Sequence, residues 1–151
     1  MGSFAQVNLT WLDNDLLASR TLHRAGTQVR KETFEYDELD RLFEHCCDGE
    51  ALPRNAKGRP ISLQQFRFDE RDNLTRCVTQ FADGTSDRAD FTYATDGSFK
   101  LTKVTHRLLE DYPAEQAFDY DEFGNYVMES QLVSYGAPNH QLDAAVEAII
   151  A

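Results

Sequence analysis

Most of the chain alternates apolar and polar residues with a period of two rather than 3.6, the pattern of half-buried strands. Val7, Leu9 and Trp11 alternate with polar neighbours, and aromatic–polar–aromatic steps follow at Phe34/Tyr36, Phe66/Phe68, Phe91/Tyr93 and Phe118/Tyr120. Each step puts two rings on one face of a strand, a setting that aromatic and β-branched side chains fit well. The runs Cys77-Val-Thr79 and Leu101-Thr-Lys-Val-Thr105 predict further strands. Asp83-Gly84 and Asp96-Gly97 are hairpin dipeptides. Asp48-Gly49 precedes the longest predicted loop, Leu52 to Pro60, which holds Pro53, Asn55 and Gly58. The expected fold class is all-β and mostly antiparallel.

The strand pattern also repeats. Phe34-Glu-Tyr-Asp-Glu-Leu-Asp-Arg-Leu42 aligns with Phe66-Arg-Phe-Asp-Glu-Arg-Asp-Asn-Leu74 and with Phe118-Asp-Tyr-Asp-Glu-Phe-Gly-Asn-Tyr126. Degenerate copies begin at Phe91-Thr-Tyr93, turning at Asp96-Gly97, and at Leu9-Thr-Trp11, turning at Asp13-Asn-Asp15. The second aromatic recurs roughly every 25 to 32 residues, within the range of repeat architectures. In each copy the aromatics end an incoming strand and anchor its packed face. Asp37, Asp69 and Asp121 then open a turn by accepting backbone N–H bonds. Asp40, Asp72 and Gly124 follow three residues later, residue types that tolerate left-handed backbone. A return strand starts at Leu42, Leu74 or Tyr126. Tandem antiparallel hairpins of this kind, burying one another's faces, would form a curved, twisted strip.

These segments resemble the tyrosine–aspartate repeats of RHS-repeat proteins, including the C components of Tc-type insecticidal complexes. Leu17-Ala-Ser-Arg-Thr-Leu22, Asp69 to Arg76 and Val78 to Gly84 add to the likeness, which covers roughly Val7 to Val127. The resemblance implies a non-catalytic structural or interaction module, a segment or short relative of the shells of bacterial toxin delivery systems. It also implies synthesis in the bacterial cytoplasm and export by such a system. Phe34, Tyr36, Phe66, Phe68, Phe118 and Tyr120 would be face anchors, and Asp37, Asp69 and Asp121 turn formers. The departures are Asp40 and Asp72 where that family usually has Gly, and Phe68 for the usual Tyr. Four or five hairpins are too few to enclose a toxin domain, and no Asp-Pro-x-Gly-type segment is present. Neither encapsulation nor self-cleavage is therefore carried over.

Composition narrows the partners. The 151 residues, enough for one domain, carry 15 basic and 26 acidic side chains, a net charge of −11. That excludes a basic nucleic-acid footprint and argues against anionic membranes. No apolar run suits a transmembrane helix, and the start shows no secretory signal. Three cysteines do not suggest a disulfide framework but a reducing compartment. Two regions are expected, a β domain over 1–137 and a helical tail over 138–151. In that tail Asn139 is the N-cap, and Leu142, Val146, Ile149 and Ile150 lie on one side, which would cover an open end or edge of the sheet or dock into another chain. An open strip has two unpaired edges, which invite self-association into a homodimer or larger assembly.

The candidate chemistry is sparse. Asp37-Glu38, Asp69-Glu70 and Asp121-Glu122 offer carboxylates to a hard cation, but a turn explains their spacing without an ion. His45-Cys46-Cys47-Asp48 would suit a small Cys/His hydrolase. Adjacent strand residues point to opposite faces, however, so Cys46 and Cys47 would not share a zinc. Core packing or a strand near a turn is the reading adopted for them, and Cys77 is read as a small buried hydrophobe. His23, His106 and His140 lack ligand spacing, and surface or satisfied hydrogen-bonding roles are expected for them. Arg20, Arg24, Arg30 and Lys31 read as a solvated basic strand face. No catalytic, cofactor or metal residue is assigned and no cofactor is expected. The aromatic ladder could alternatively bind a glycan or peptide if its rings were exposed.

Overall fold

The structure, a computed structural model, describes residues 4–131. It is a ten-stranded antiparallel meander: β1 (Ala5–Trp11), β2 (Leu17–Arg24), β3 (Thr27–Tyr36), β4 (Leu42–Gly49), β5 (Ile61–Phe68), β6 (Leu74–Phe81), β7 (Ser86–Tyr93), β8 (Leu101–Thr105), β9 (Glu115–Tyr120) and β10 (Tyr126–Gln131). Each strand pairs with its sequence neighbours and with no other, so the strands form one open sheet in chain order. The hairpins join side by side along their edges. The helical tail expected over 138–151, with His140, lies outside the described residues.

Every aromatic step closes an odd-numbered strand, so the connections after β1, β3, β5, β7 and β9 fall at one end of the sheet. Three of them carry the repeat's turn in full. The Oδ1 of Asp37 accepts the backbone N–H groups of Leu39 and Arg41 at 2.9 and 3.0 Å. Asp69 does the same for Arg71 and Asn73, and Asp121 for Phe123 and Asn125. The second carboxylate oxygen takes the side chain four residues on: Arg41 Nε at 2.8 Å, and the Asn73 and Asn125 amides at 3.1 Å. Asp40, Asp72 and Gly124 sit at φ 60°, 65° and 83°. This is a β-turn closed by a left-handed residue. Leu12 to Leu16 repeats the backbone bonds without a carboxylate, with Asp15 at φ 65°.

A one-residue bulge accompanies the second aromatic in four hairpins. Trp11 opposes Leu17, Tyr36 opposes Leu42, Phe68 opposes Leu74 and Tyr93 opposes Leu101, each with one extra residue on the return strand. Because side chains alternate, the extra residue lets the first return residue and the one three later face the same way. Leu42 and His45 thus share a face.

Three tyrosines lock this geometry. The hydroxyls of Tyr36, Tyr93 and Tyr120 donate to the carbonyls of Leu17, Leu74 and Leu101 at 2.7–2.8 Å, each reaching back 19 residues to the start of the preceding strand. Phe68 lacks the hydroxyl, and there the Arg41 guanidinium lies 5.0 Å from its ring centre. The core lies on this one face: Phe66, Cys77, Ala89, Phe91, Val104 and Phe118 are buried, with Leu42, Phe68, Leu74, Tyr93, Leu101 and Tyr120 packed against them.

At the opposite end, the long connections after β4 and β8 meet. Within the predicted Leu52–Pro60 loop, Arg54 pairs with Pro60, and Asn55 Oδ1 accepts the N–H groups of Lys57 and Arg59 at 3.0 and 2.9 Å. An asparagine therefore builds the same turn that aspartate builds elsewhere, with Gly58 at φ 83°. If the Asp carboxylates serve as turn acceptors, Asp69→Ala should lower Tm by about 2–4 °C, whereas Asp69→Asn should hold within about 1 °C. Thermal unfolding followed by circular dichroism decides this. Equal losses for both variants would point to a need for charge rather than an acceptor.

Candidate functional site

The buried face also contains a row of polar side chains. Glu32, His45, Gln64, Thr79, Asp87, His106 and Gln116 are all buried. The register sets His45 opposite Gln64, Gln64 opposite Thr79 and Thr79 opposite Asp87. The row begins at an ion cluster. Arg20 Nε and Nη2 hold the Glu32 carboxylate at 2.7 and 2.9 Å, and Arg30 Nε lies 3.3 Å from it. His45 Nε2 donates to Glu32 Oε1 at 3.0 Å, and the imidazole stacks on Phe34 at 4.8 Å between ring centres. Gln64 lies 3.4 Å from the other His45 nitrogen and 3.4 Å from Thr79 Oγ1.

Here the basic-face expectation is corrected. Glu32 draws Arg20 and Arg30 to the buried face, because all three occupy in-phase positions on β2 and β3. Of the four cations, Arg24 and Lys31 are exposed. His106, expected in a surface or a satisfied hydrogen-bonding role, takes the second and is buried. Its Nδ1 is 2.7 Å from Asp87, its ring stacks on Tyr112, and Asp87 also accepts the N–H groups of Arg107 and Leu108. Asn55 donates to Asp111 and Tyr112, and Arg59 grips Asp111 through two 2.7 Å bonds while reaching Asp83 at 2.8 Å.

Glu32, His45 and Cys47 are the described side chains that could hold a metal, since their donor atoms lie within 4.8 Å of one another. Cys47 Sγ is 3.4 Å from His45 Nε2, near the roughly 3.5 Å edge of a tetrahedral zinc site. The reading of Cys46 and Cys47 on opposite faces holds: Cys47 is buried beside His45, and Cys46 is partly exposed beside Glu44.

Electrostatics, not donor spacing, decides the chemistry. Burial alone would raise the Glu32 carboxyl. The His45 and Arg20 hydrogen bonds, with the charge of both arginines, outweigh burial and hold it down at about 2. Two guanidinium groups therefore already supply the cation that a carboxylate requires. Burial, reinforced by Glu32, pushes the Cys47 thiol up to about 12. Cys77 is also pushed up to about 12 by burial, and burial raises Cys46. Cys47 is therefore a protonated thiol at neutral pH, a poor nucleophile, and a metal would have to displace its proton to bind it.

The sequence-designated anchors divide by depth. Phe66 and Phe118 are buried, whereas Phe34, Tyr36, Phe68 and Tyr120 are half-buried. All belong to strands that run to the turn end. Asp37 and Asp69 are partly exposed, and Asp121 and Gly124 are exposed. Backbone N–H bonds and the partner side chain lower the carboxyls of Asp37 and Asp121, and hydrogen bonds from Asn73 and Arg71 lower that of Asp69 against burial. Their oxygens already have partners, and Glu38, Glu70 and Glu122 point to solvent. Neither a known family model nor a curated protein matches the chain.

Two measurements test the cluster. A carboxyl lowered from 4.5 to about 2 gives stability that is complete above 4.5 and lost as pH falls towards 2. Acid unfolding should therefore steepen within that window. Glu32→Gln should cost on the order of 3 kcal/mol at pH 7 by leaving the arginines without their carboxylate, and should flatten the same window. Zinc or cobalt added at tenfold excess should leave Tm unchanged. A rise of several degrees with a thiolate-to-cobalt absorption band would show that metal displaces the guanidiniums.

Proposed function

We propose that the chain is a non-catalytic structural and interaction module of the RHS-repeat type, serving as strip or scaffold in a bacterial toxin delivery system. Its partners would be the remainder of an RHS shell or its toxin, and further copies of itself through the sheet edges. The observation that carries this reading is the recurrence of one set of mechanical parts, complete at Tyr36–Leu42 and shared out over the later hairpins: aromatic step, carboxylate turn, bulge and tyrosine bond spanning 19 residues. A chain that spends its repeated residues on turn closure and face packing is built to be extended and joined. The ring anchors lie buried or half-buried on the packed face, which favours architecture over an aromatic glycan platform. Among the described residues no helix is long and apolar enough to cross a membrane.

Co-expression with the products of its flanking genes tests the proposal. A stable complex with a shell or toxin component is expected. Saturable binding on a glycan array without any protein complex would transfer the role to carbohydrate recognition. Rapid alkylation of Cys47 in the folded state, with ester turnover lost on Cys47→Ser, would support the hydrolase reading instead.

A further inference from the structure

The first strand is unlike the rest of the sheet. Val7, Leu9 and Trp11 are 53 %, 46 % and 59 % exposed, whereas in the later aromatic steps the first rings Phe66, Phe91 and Phe118 are 2 %, 8 % and 6 % exposed and Phe34 and the second rings Tyr36, Phe68, Tyr93 and Tyr120 are half-buried. Register shows that the face is the same one. Leu9 opposes Arg20, which opposes Glu32, and Val7 opposes Leu22, which opposes Arg30. The buried face thus continues onto β1 and stops there, because β1 has a neighbour on one side alone among the described strands.

Edge strands in stable monomers are blunted by charge, proline or shortness. Ala5-Gln-Val-Asn-Leu-Thr-Trp11 has seven residues, no charge and no proline. We infer that this strand pairs with β1 of a second copy, antiparallel, about a two-fold axis perpendicular to the sheet. Such an axis returns Val7, Leu9 and Trp11 of both copies to the same face, where they cover one another across the new ladder. It extends the strip without breaking its alternation.

Charge favours this occupant over the opposite edge. Residues 5–36 carry four basic and four acidic side chains, whereas residues 101–131 carry two and seven. Joining two β1 ends unites neutral surfaces, and joining two β10 ends unites acidic ones. An isologous contact also closes at the dimer, whereas β10 meeting β1 would propagate. Three half-exposed side chains and seven residues of backbone fall short of the roughly 800 Å² per partner of a standard interface. Dissociation in the micromolar range is therefore expected. The inference deepens the edge-pairing part of the module proposal and rests on it.

Trp11 is the sole tryptophan, so its emission reports on this face directly. At about 100 μM, well above a micromolar dissociation constant, emission should be blue-shifted and poorly quenched by acrylamide. Dilution to about 0.1 μM should return it to a water-exposed spectrum as the sedimentation mass halves. Leu9→Lys should weaken the dimer at least 100-fold with an unchanged far-ultraviolet dichroism spectrum. A monomer with exposed Trp11 at the higher concentration would overturn the inference, and would do so from the wild type alone. Species that grow past the dimer would overturn it in favour of head-to-tail pairing. A monomer that still copurifies with a shell component would sink the dimer and leave the module reading standing.

Discussion

A carboxylate accepting two backbone N–H groups is the contact on which the arrangement depends. At Asp37, Asp69 and Asp121 it satisfies donors where the ladder of the sheet cannot reach them. It also brings the chain back with the left-handed residue and, at Asp37 and Asp69, the bulge that set the phase of the return strand. Phase is the property that matters in a one-layer fold. A one-residue error would turn Leu42, His45 and Cys47 towards water and Glu44 towards the core. The tyrosine hydroxyls fix the same corner from the other side, by tying the end of one strand to the start of its predecessor.

A single sheet that buries one face must also find room for polar groups in that face. Here they lie in a row across the strands, and most meet a polar neighbour in register. Glu32 has two arginines and a histidine and His106 has Asp87, while at the sheet's end, in the connections, Asp111 has Arg59 and Asn55. Unpaired, each would cost several kcal/mol of desolvation. Paired, they impose directional constraints that apolar packing lacks. The Glu32–His45–Cys47 group resembles a ligand set in its distances, but its electrostatics are those of a satisfied ion cluster. The two features are separable because donor spacing follows from strand register, whereas proton affinity follows from which charges share the face.

The turn units were legible in the sequence because every part of them lies within nine consecutive residues. The Asn55 turn was legible in principle: Asn55-x-x-Gly58-Arg59 has the form of Asp121-x-x-Gly124-Asn125. It was masked by flanking prolines, which read as loop. The ion cluster was not legible. Its members come from β2, β3 and β4, and their meeting depends on registers that two bulges shift. For the same reason Arg20 and Arg30 were assigned to solvent. Their charge argued for exposure, and only the position of Glu32 across the ladder reverses that. His106 likewise gains its partners from a strand and a connection that no local motif links.

Alternation alone cannot choose a register, because a slip of two residues returns every side chain to its proper face. What resists such a slip must be contacts that recognise absolute position. The three tyrosine bonds do this at the turn end, since a hydroxyl that meets Leu74 O would miss it after a two-residue shift of roughly 6–7 Å. At the far end Arg59 and Asn55 meet Asp111 across a sequence gap of more than 50 residues and three intervening hairpin crossings. The irregular connections after β4 and β8 thus lie outside the repeat and yet hold it in place. A strip of near-identical hairpins needs such non-repeating knots, because identical units cannot by themselves tell one alignment from the next.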